Sequence, residues 1–184
     1  MKISLYFVFL LSLASLFFLS CSVAKPLVVS ETVDNIEFKS VESKVTLDNP
    51  LKINLLESVD ITLSFEIFSL DGGVYASRVH PNAKVQILDN STYGYPDALN
   101  LDESINSEQN WSDRNNFVLG TSIGNGGIFE GKGLRYLGFR ILNNREYQYG
   151  WIAITNNEGN TCVEIKSYAV NTTNGKGILA GQEE

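Results

Sequence analysis

The chain has 184 residues, 43% of them hydrophobic and 11% aromatic, a length at which one domain buries roughly 70% of its unfolded surface. Its formal charge is −7, with 14 basic residues scattered among 21 acidic ones. That pattern excludes nucleic acid as a partner, because phosphate binding needs clustered Lys and Arg that displace counterions.

The chain opens with "MKISLYFVFLLSLASLFFLSCS": one Lys, an apolar run over residues 3–20, then Cys21. This is the pattern of an export signal, and its length would also suit a membrane-spanning helix. The end of the run, "FLSC" at 18–21, resembles the lipobox of bacterial lipoproteins, with the small Ser20 just before Cys21. The family usually has Leu where Phe18 stands. The resemblance implies that residues 1–20 are a signal peptide. Cys21 then becomes the first mature residue, carrying diacylglycerol and an amide-linked palmitate that hold the protein on a membrane without spanning it. Ser22 follows Cys21, where an Asp retains some lipoproteins at the inner membrane, so the resemblance implies the outer membrane. Secretion after cleavage behind Ala24, or an uncleaved anchor, are the alternatives. The chain has only one other cysteine, so a lipidated Cys21 leaves Cys162 without a disulfide partner. Cys162 reads as a strand residue; a catalytic thiol would need His80, the single histidine, as its base.

Residues 21–32 read as a lipidated tether, of which 22–31 span at most ~33 Å when extended. The tether runs into "PLVVSE", a candidate first strand, and residues 33–184 form the folded domain. Strands are expected at 36–40, 44–48, 51–57, 74–80 and 83–89. The run "SVDITLSFEIFS" at 58–69 is the clearest, with Val59, Ile61, Leu63, Phe65 and Ile67 on one face and polar residues on the other. Helical periodicity is missing, apart from a turn near residues 96–101. Residues 90–116 dissolve into Asn, Ser, Asp and Tyr, a loop longer than compact domains usually leave structureless. A Gly-rich segment at 119–133 precedes three strands, 134–142, 146–155 and 161–170, joined by the Asn- and Gly-rich turns of a meander. The fold class is therefore all-β, an antiparallel two-sheet sandwich with a jelly roll as one version of it.

The last third, "YLGFRILNNREYQYGWIAIT…VEIKSYAVNTTNGKGILAGQ", resembles an ending found in uncharacterised secreted and surface proteins of bacteria. The likeness rests on Gly138 and Phe139, "YGW" at 149–151, Tyr168 and Ala169, "NTT" at 171–173 and "ILAGQ" at 178–182. Val170 stands where that ending has an aromatic, and Asn174 where it often has proline. The resemblance implies a secreted β-sandwich and no particular activity.

Chemical motifs are sparse. "GGIFEGKG" approaches a phosphate-binding loop through Gly126, Gly131 and Lys132, but Gly133 stands where Ser or Thr would hold magnesium. No strand and helix frame it, and a turn in a β protein is the plainer reading. His80 lies in "RVHPN", before a proline, and no G-x-S-x-G elbow exists for a serine hydrolase. Asn90, Asn110 and Asn171 fit the N-glycosylation pattern but read as turn residues. Asp89, Asp97, Asp102, Glu103 and Asp113 gather in or beside the long loop. Oxygen ligands of this kind suit a structural calcium, and a close pair of them would suit a glycoside hydrolase. No spacing matches a known calcium loop. Solvated loop charge is the commoner explanation of such a cluster, and no cofactor is required.

One strand poses a sharper question. In "YQYGWIAIT" Gly150, Ile152 and Ile154 form one face, while Tyr147, Tyr149 and Trp151 form the other, with Tyr136 or Tyr168 beside them. These rings either make an exposed strip that stacks on sugars, or are buried beneath the 90–116 loop with its Tyr93, Tyr95 and Trp111. The sequence thus points to a non-enzymatic envelope lipoprotein that binds or scaffolds, with polysaccharide or envelope proteins as partners. A lectin-like or sugar-active domain using the loop carboxylates and aromatics is the alternative.

Overall fold

The computed structural model describes residues 34–56, 60–90, 95–123 and 127–184. The chain divides into Met1–Thr32 and Val33–Glu184, and every described residue lies in the second unit. The signal, Cys21, the tether, the "PLVVSE" strand, Val59, Tyr93 and Gly126 lie outside the described residues.

Alternation in the sequence becomes alternation in burial. The described strands are β1 (Ile36–Val45), β2 (Leu51–Leu56), β3 (Ile61–Leu70), β4 (Val74–Pro81), β5 (Val85–Leu88), β6 (Ala98–Leu99), β7 (Ser104–Ile105), β8 (Trp111–Ser112), β9 (Phe117–Thr121), β10 (Leu134–Asn143), β11 (Glu146–Asn156), β12 (Val163–Asn171) and β13 (Ile178–Leu179). One sheet has the order β1-β12-β11-β10-β5-β8, with β6 also on β10, and the other β2-β3-β4-β9; β13 pairs with β7 alone. All these ladders are antiparallel. Consecutive strands lie side by side in β2-β3-β4 and β10-β11-β12, the expected meander among them. That sets the sandwich apart from a jelly roll, in which successive strands alternate between sheets.

The core between the sheets is drawn from both. Ile61, Leu63, Phe65 and Ile67 of β3 meet Leu137, Phe139 and Ile141 of β10 and Ile152 and Ile154 of β11 in one buried cluster. Such a face-to-face packing of inward-pointing side chains is the usual core of a sandwich. Tyr168 joins this cluster, and its hydroxyl donates to the Asn54 carbonyl at 2.8 Å, tying β12 to the opposite sheet. Gly150 faces the same core because nothing larger fits. A Cβ there would lie 2.3 Å from Phe139 Cζ and 2.5 Å from the Ala169 carbonyl oxygen.

Three expectations change. The strands expected at 36–40 and 44–48 are one strand, β1, interrupted by a register shift between Ser40 and Ser43 against β12. Glu42 sits in that bulge with a φ of 45°. The bulge switches the strand's inner face: Phe38 touches Trp151 on one side of the sheet, whereas Val41 and Val45 belong to the core on the other. The 90–116 loop is not structureless either, since it supplies β6, β7 and β8. The Gly-rich segment contributes β9 and the fully buried Phe129. No helix follows Lys132, so the phosphate-loop reading has no framework here.

The outer face of β3 and β4 is polar. Glu66 accepts hydrogen bonds from Arg78 Nε and from His80 Nε2, the latter at 3.0 Å, and the Arg78 guanidinium also lies 4.3 Å from the Phe68 ring centroid. The hydrogen bond from His80, reinforced by Arg78, holds the Glu66 carboxyl below its ordinary value against a smaller effect of burial. A depressed carboxylate stabilises the fold fully above its unfolded pKa of about 4.3 and loses that contribution as the pH falls toward the lowered folded value. Because the side chain is 34% exposed, screening holds its contribution to about 1 kcal/mol or less. Glu66→Gln is therefore expected to destabilise the domain by up to about 1 kcal/mol at neutral pH, and by progressively less below about pH 4, as read from denaturant midpoints across pH. A deficit independent of pH would contradict this pairing.

Candidate functional site

The aromatic face of "YQYGW" is buried, and a second core explains why. Tyr149 and Trp151 are 2% and 1% exposed. They cluster with Leu88, Leu99, Ile105, Tyr136, Ala153, Ala169, Ile178 and Ala180 on the side of the sheet away from the main core. Leu99 and Ile105 come from the long loop, Ile178 and Ala180 from the C-terminal tail. Both segments therefore lie over the sheet.

Specific bonds seat this cover. Trp151 Nε1 donates to the Gln182 carbonyl at 3.0 Å, and the Trp151 and Tyr136 rings meet edge to face at 5.3 Å. Ile178 pairs with Ile105, the Ala180 N–H donates to the Glu103 carbonyl and the Asp102 N–H to the Ala180 carbonyl, both at 2.9 Å. Asn171, fully buried, donates to the Gly177 carbonyl and accepts from the Thr173 N–H, which turns the chain from β12 into the tail. A buried indole or amide needs such partners. Tyr149 and Trp151 are thus corrected from binding residues to core residues: the exposed sugar-stacking strip does not exist at these two positions.

Partly buried side chains gather at the margin of the cover. Trp111 of β8 is half-buried, stacks at 5.8 Å on Tyr149 and donates through Nε1 to the Asn106 carbonyl at 3.0 Å. Tyr147, also half-buried, lies at the end of β11. Between them in the ladder stands Arg140, whose guanidinium carbon is 3.8 Å from the Tyr147 centroid and 4.9 Å from that of Trp111. Arg140 Nε donates to Gln86 Oε1 at 2.7 Å.

Beside β8 opens a cavity of about 270 Å³, lined by Leu88, Asp89, Asn90, Asp97, Glu108, Gln109 and Asn110. Backbone bonds shape it: the Asp89 N–H donates to the Asn110 carbonyl, and the Asp97 N–H to the Leu88 carbonyl. Burial pushes the Asp97 carboxyl up, Glu103 adds repulsion, and a hydrogen bond from the Ala98 backbone works against both. Asp89 is paired with Arg114 at 3.6 Å. Chemically, the cavity offers carboxylate acceptors and amides that both donate and accept, beside the one half-exposed tryptophan. Tyr95 is half-buried and is not among the lining residues; its carbonyl accepts the Asn90 N–H.

Of the five loop carboxylates singled out by sequence, Asp89 and Asp97 reach this cavity, whereas Asp102, Glu103 and Asp113 are not among its lining residues. Among the described residues no three His, Cys, Asp or Glu side chains converge as a metal site would require. His80 turns its second ring nitrogen to the Asn115 carbonyl at 3.2 Å, so Glu66 and Asn115, rather than Cys162, are its partners. Sequence reasoning missed Arg140, Gln86, Glu108 and Gln109, and read Asn90 and Asn110 only as turn residues. A signal for Arg140 was present, since alternation in "YLGFRIL" puts it on the same face as Tyr136. No family model matches the chain, and no curated protein and no solved structure matches it significantly.

Proposed function

We propose that the protein is a non-enzymatic binding domain of the bacterial envelope, held by a lipid on Cys21 at the outer membrane, whose cavity beside β8 takes a hydroxyl-rich saccharide. The observation that supports the binding reading most is the lining of that cavity. Each sugar hydroxyl donates one hydrogen bond and accepts others, and Asp89, Asn90, Asp97, Glu108, Gln109 and Asn110 supply acceptors and donors in one concave place. Trp111 stands next to Asn110 with part of its ring exposed, a surface on which the C–H face of a sugar can rest. The lipid anchor rests on "FLSC" and the apolar run before it.

A sugar-active enzyme is the second reading, favoured by one observation only: Asp97 has a raised carboxyl pKa and shares the cavity with Asp89 and Glu108. Catalysis further requires two carboxyls set across a glycosidic bond. The binding reading needs no such pair.

Two outcomes test these proposals. Cys21→Ala is expected to shift the protein from the membrane fraction to the soluble fraction, whereas a variant that stays in the membrane fraction would favour an uncleaved anchor. In calorimetry on the full chain in a detergent that carries no sugar, Asp97→Asn is expected to weaken saccharide binding by about ten- to a hundredfold, the loss of a charged hydrogen bond, with the thermal midpoint retained. Unchanged affinity would remove the cavity from the binding surface, and turnover of the saccharide would establish the enzyme.

A further inference from the structure

The β10–β11 hairpin carries a guanidinium with no counter-ion among the described residues. The chain's other stacked arginine, Arg78, is paired with Glu66, and Arg114 beside the cavity is paired with Asp89. Arg140 has two aromatic rings and the Gln86 side-chain oxygen instead. No carboxylate among the described residues comes within ion-pair distance of it, although acidic residues outnumber basic ones by 21 to 14 over the whole chain.

Its neighbourhood leans the same way. Lys84 is exposed and its carbonyl accepts the Leu142 N–H at 3.0 Å, while Arg145, also exposed, occupies the turn between β10 and β11. Neither is in an ion pair with a described residue. Three cationic residues thus share one end of the sheet, with Glu146 as the acidic residue of the hairpin turn.

The geometry gives this guanidinium a defined use. Tyr147 and Trp111 restrain its plane, and the bond to Gln86 occupies Nε, so the two terminal nitrogens are left as the donating edge. A fork with its plane fixed matches the two oxygens of a carboxylate, and little side-chain freedom remains to be lost on binding. We propose that Arg140, held against Tyr147 and Trp111, is an anion-recognition point that takes the carboxylate of an acidic saccharide. This inference rests on the saccharide-binding reading and specifies the charge of the ligand. Trp111 connects the two places: its ring lies against Arg140, and its backbone follows Asn110 of the cavity.

The test is calorimetric titration of the full chain with oligogalacturonate, its methyl ester and a neutral oligosaccharide of equal length, repeated with inorganic phosphate as competitor. Wild type is expected to prefer the free uronate, and Arg140→Lys, which keeps the charge but loses the fork, to weaken it by about tenfold or more. Binding of the neutral sugar should not change. Should Arg140→Lys lower the thermal midpoint enough to blur the reading, Gln86→Leu, which frees Nε and loosens the fork, is expected to weaken uronate selectively as well. Equal binding of uronate and ester, wild-type uronate affinity in both variants, or displacement by phosphate as effective as by free galacturonate would overturn the proposal. Uronate binding that depends on Arg140 but not on Asp97 would uphold this inference while removing the cavity reading. Failure of all three saccharides to bind would overturn both.

Discussion

The structure depends on a sheet that is apolar on both faces. β11 turns Ile152 and Ile154 into the core between the sheets and Tyr149 and Trp151 into a second core on the other side. A two-sheet sandwich normally exposes its outer faces, with polar side chains alternating outward. Here Trp151 is 1% exposed, and water is kept from it by segments distant in sequence, the loop around β6 and β7 and the tail around β13. Burial of this layer gives those segments a reason to be ordered. Without it, a tail of a few residues could not offset its own conformational entropy.

This second core also places the candidate site. The cover ends at β8, where Trp111 packs against Tyr149 and stays partly exposed. Side chains at that boundary are held by packing on one side and free on the other, the combination a recognition surface needs. Arg140 is the clearest case: it stands on the same face as the buried rings, opposite Tyr149 in the ladder, and stacks on Tyr147 and Trp111 while remaining partly exposed. The cavity lined by Asp89, Asp97 and Asn110 forms beside β8, where the loop leaves and rejoins β5.

The strands were legible because period two survives wherever one face is buried and the other wet. β3 is an example, and the meander turns announced themselves through Asn and Gly. The two roles of the 90–116 loop were not. Its apolar residues, among them Leu99 and Ile105, are spaced by polar stretches and carry no period, because each meets the sheet from a short strand of two residues. The β1 bulge was hidden for a related reason: Glu42 takes a left-handed backbone at a residue type that rarely signals it. The aromatic ladder of "YQYGW" posed the right question, but alternation shows only that a face is apolar, never what covers it. The answer lay in the "ILAGQ" tail, through Ile178, Ala180 and the Gln182 carbonyl, and contacts that depend on a carbonyl leave no trace in residue identity. For Arg140 the face was readable; the absence of a carboxylate beside it was not.

The chain has two tryptophans, one beneath the cover and one at its margin, so the cover itself can be measured. Acrylamide quenching of Trp111→Phe, which leaves only Trp151, and of Trp151→Phe, which leaves only Trp111, compares the covered and the marginal indole in the same fold. Strong protection of Trp151 and several-fold faster quenching of Trp111 are expected. Equal, rapid quenching of both would mean that the tail and loop do not cover the sheet, and that the rings of "YQYGW" face solvent after all.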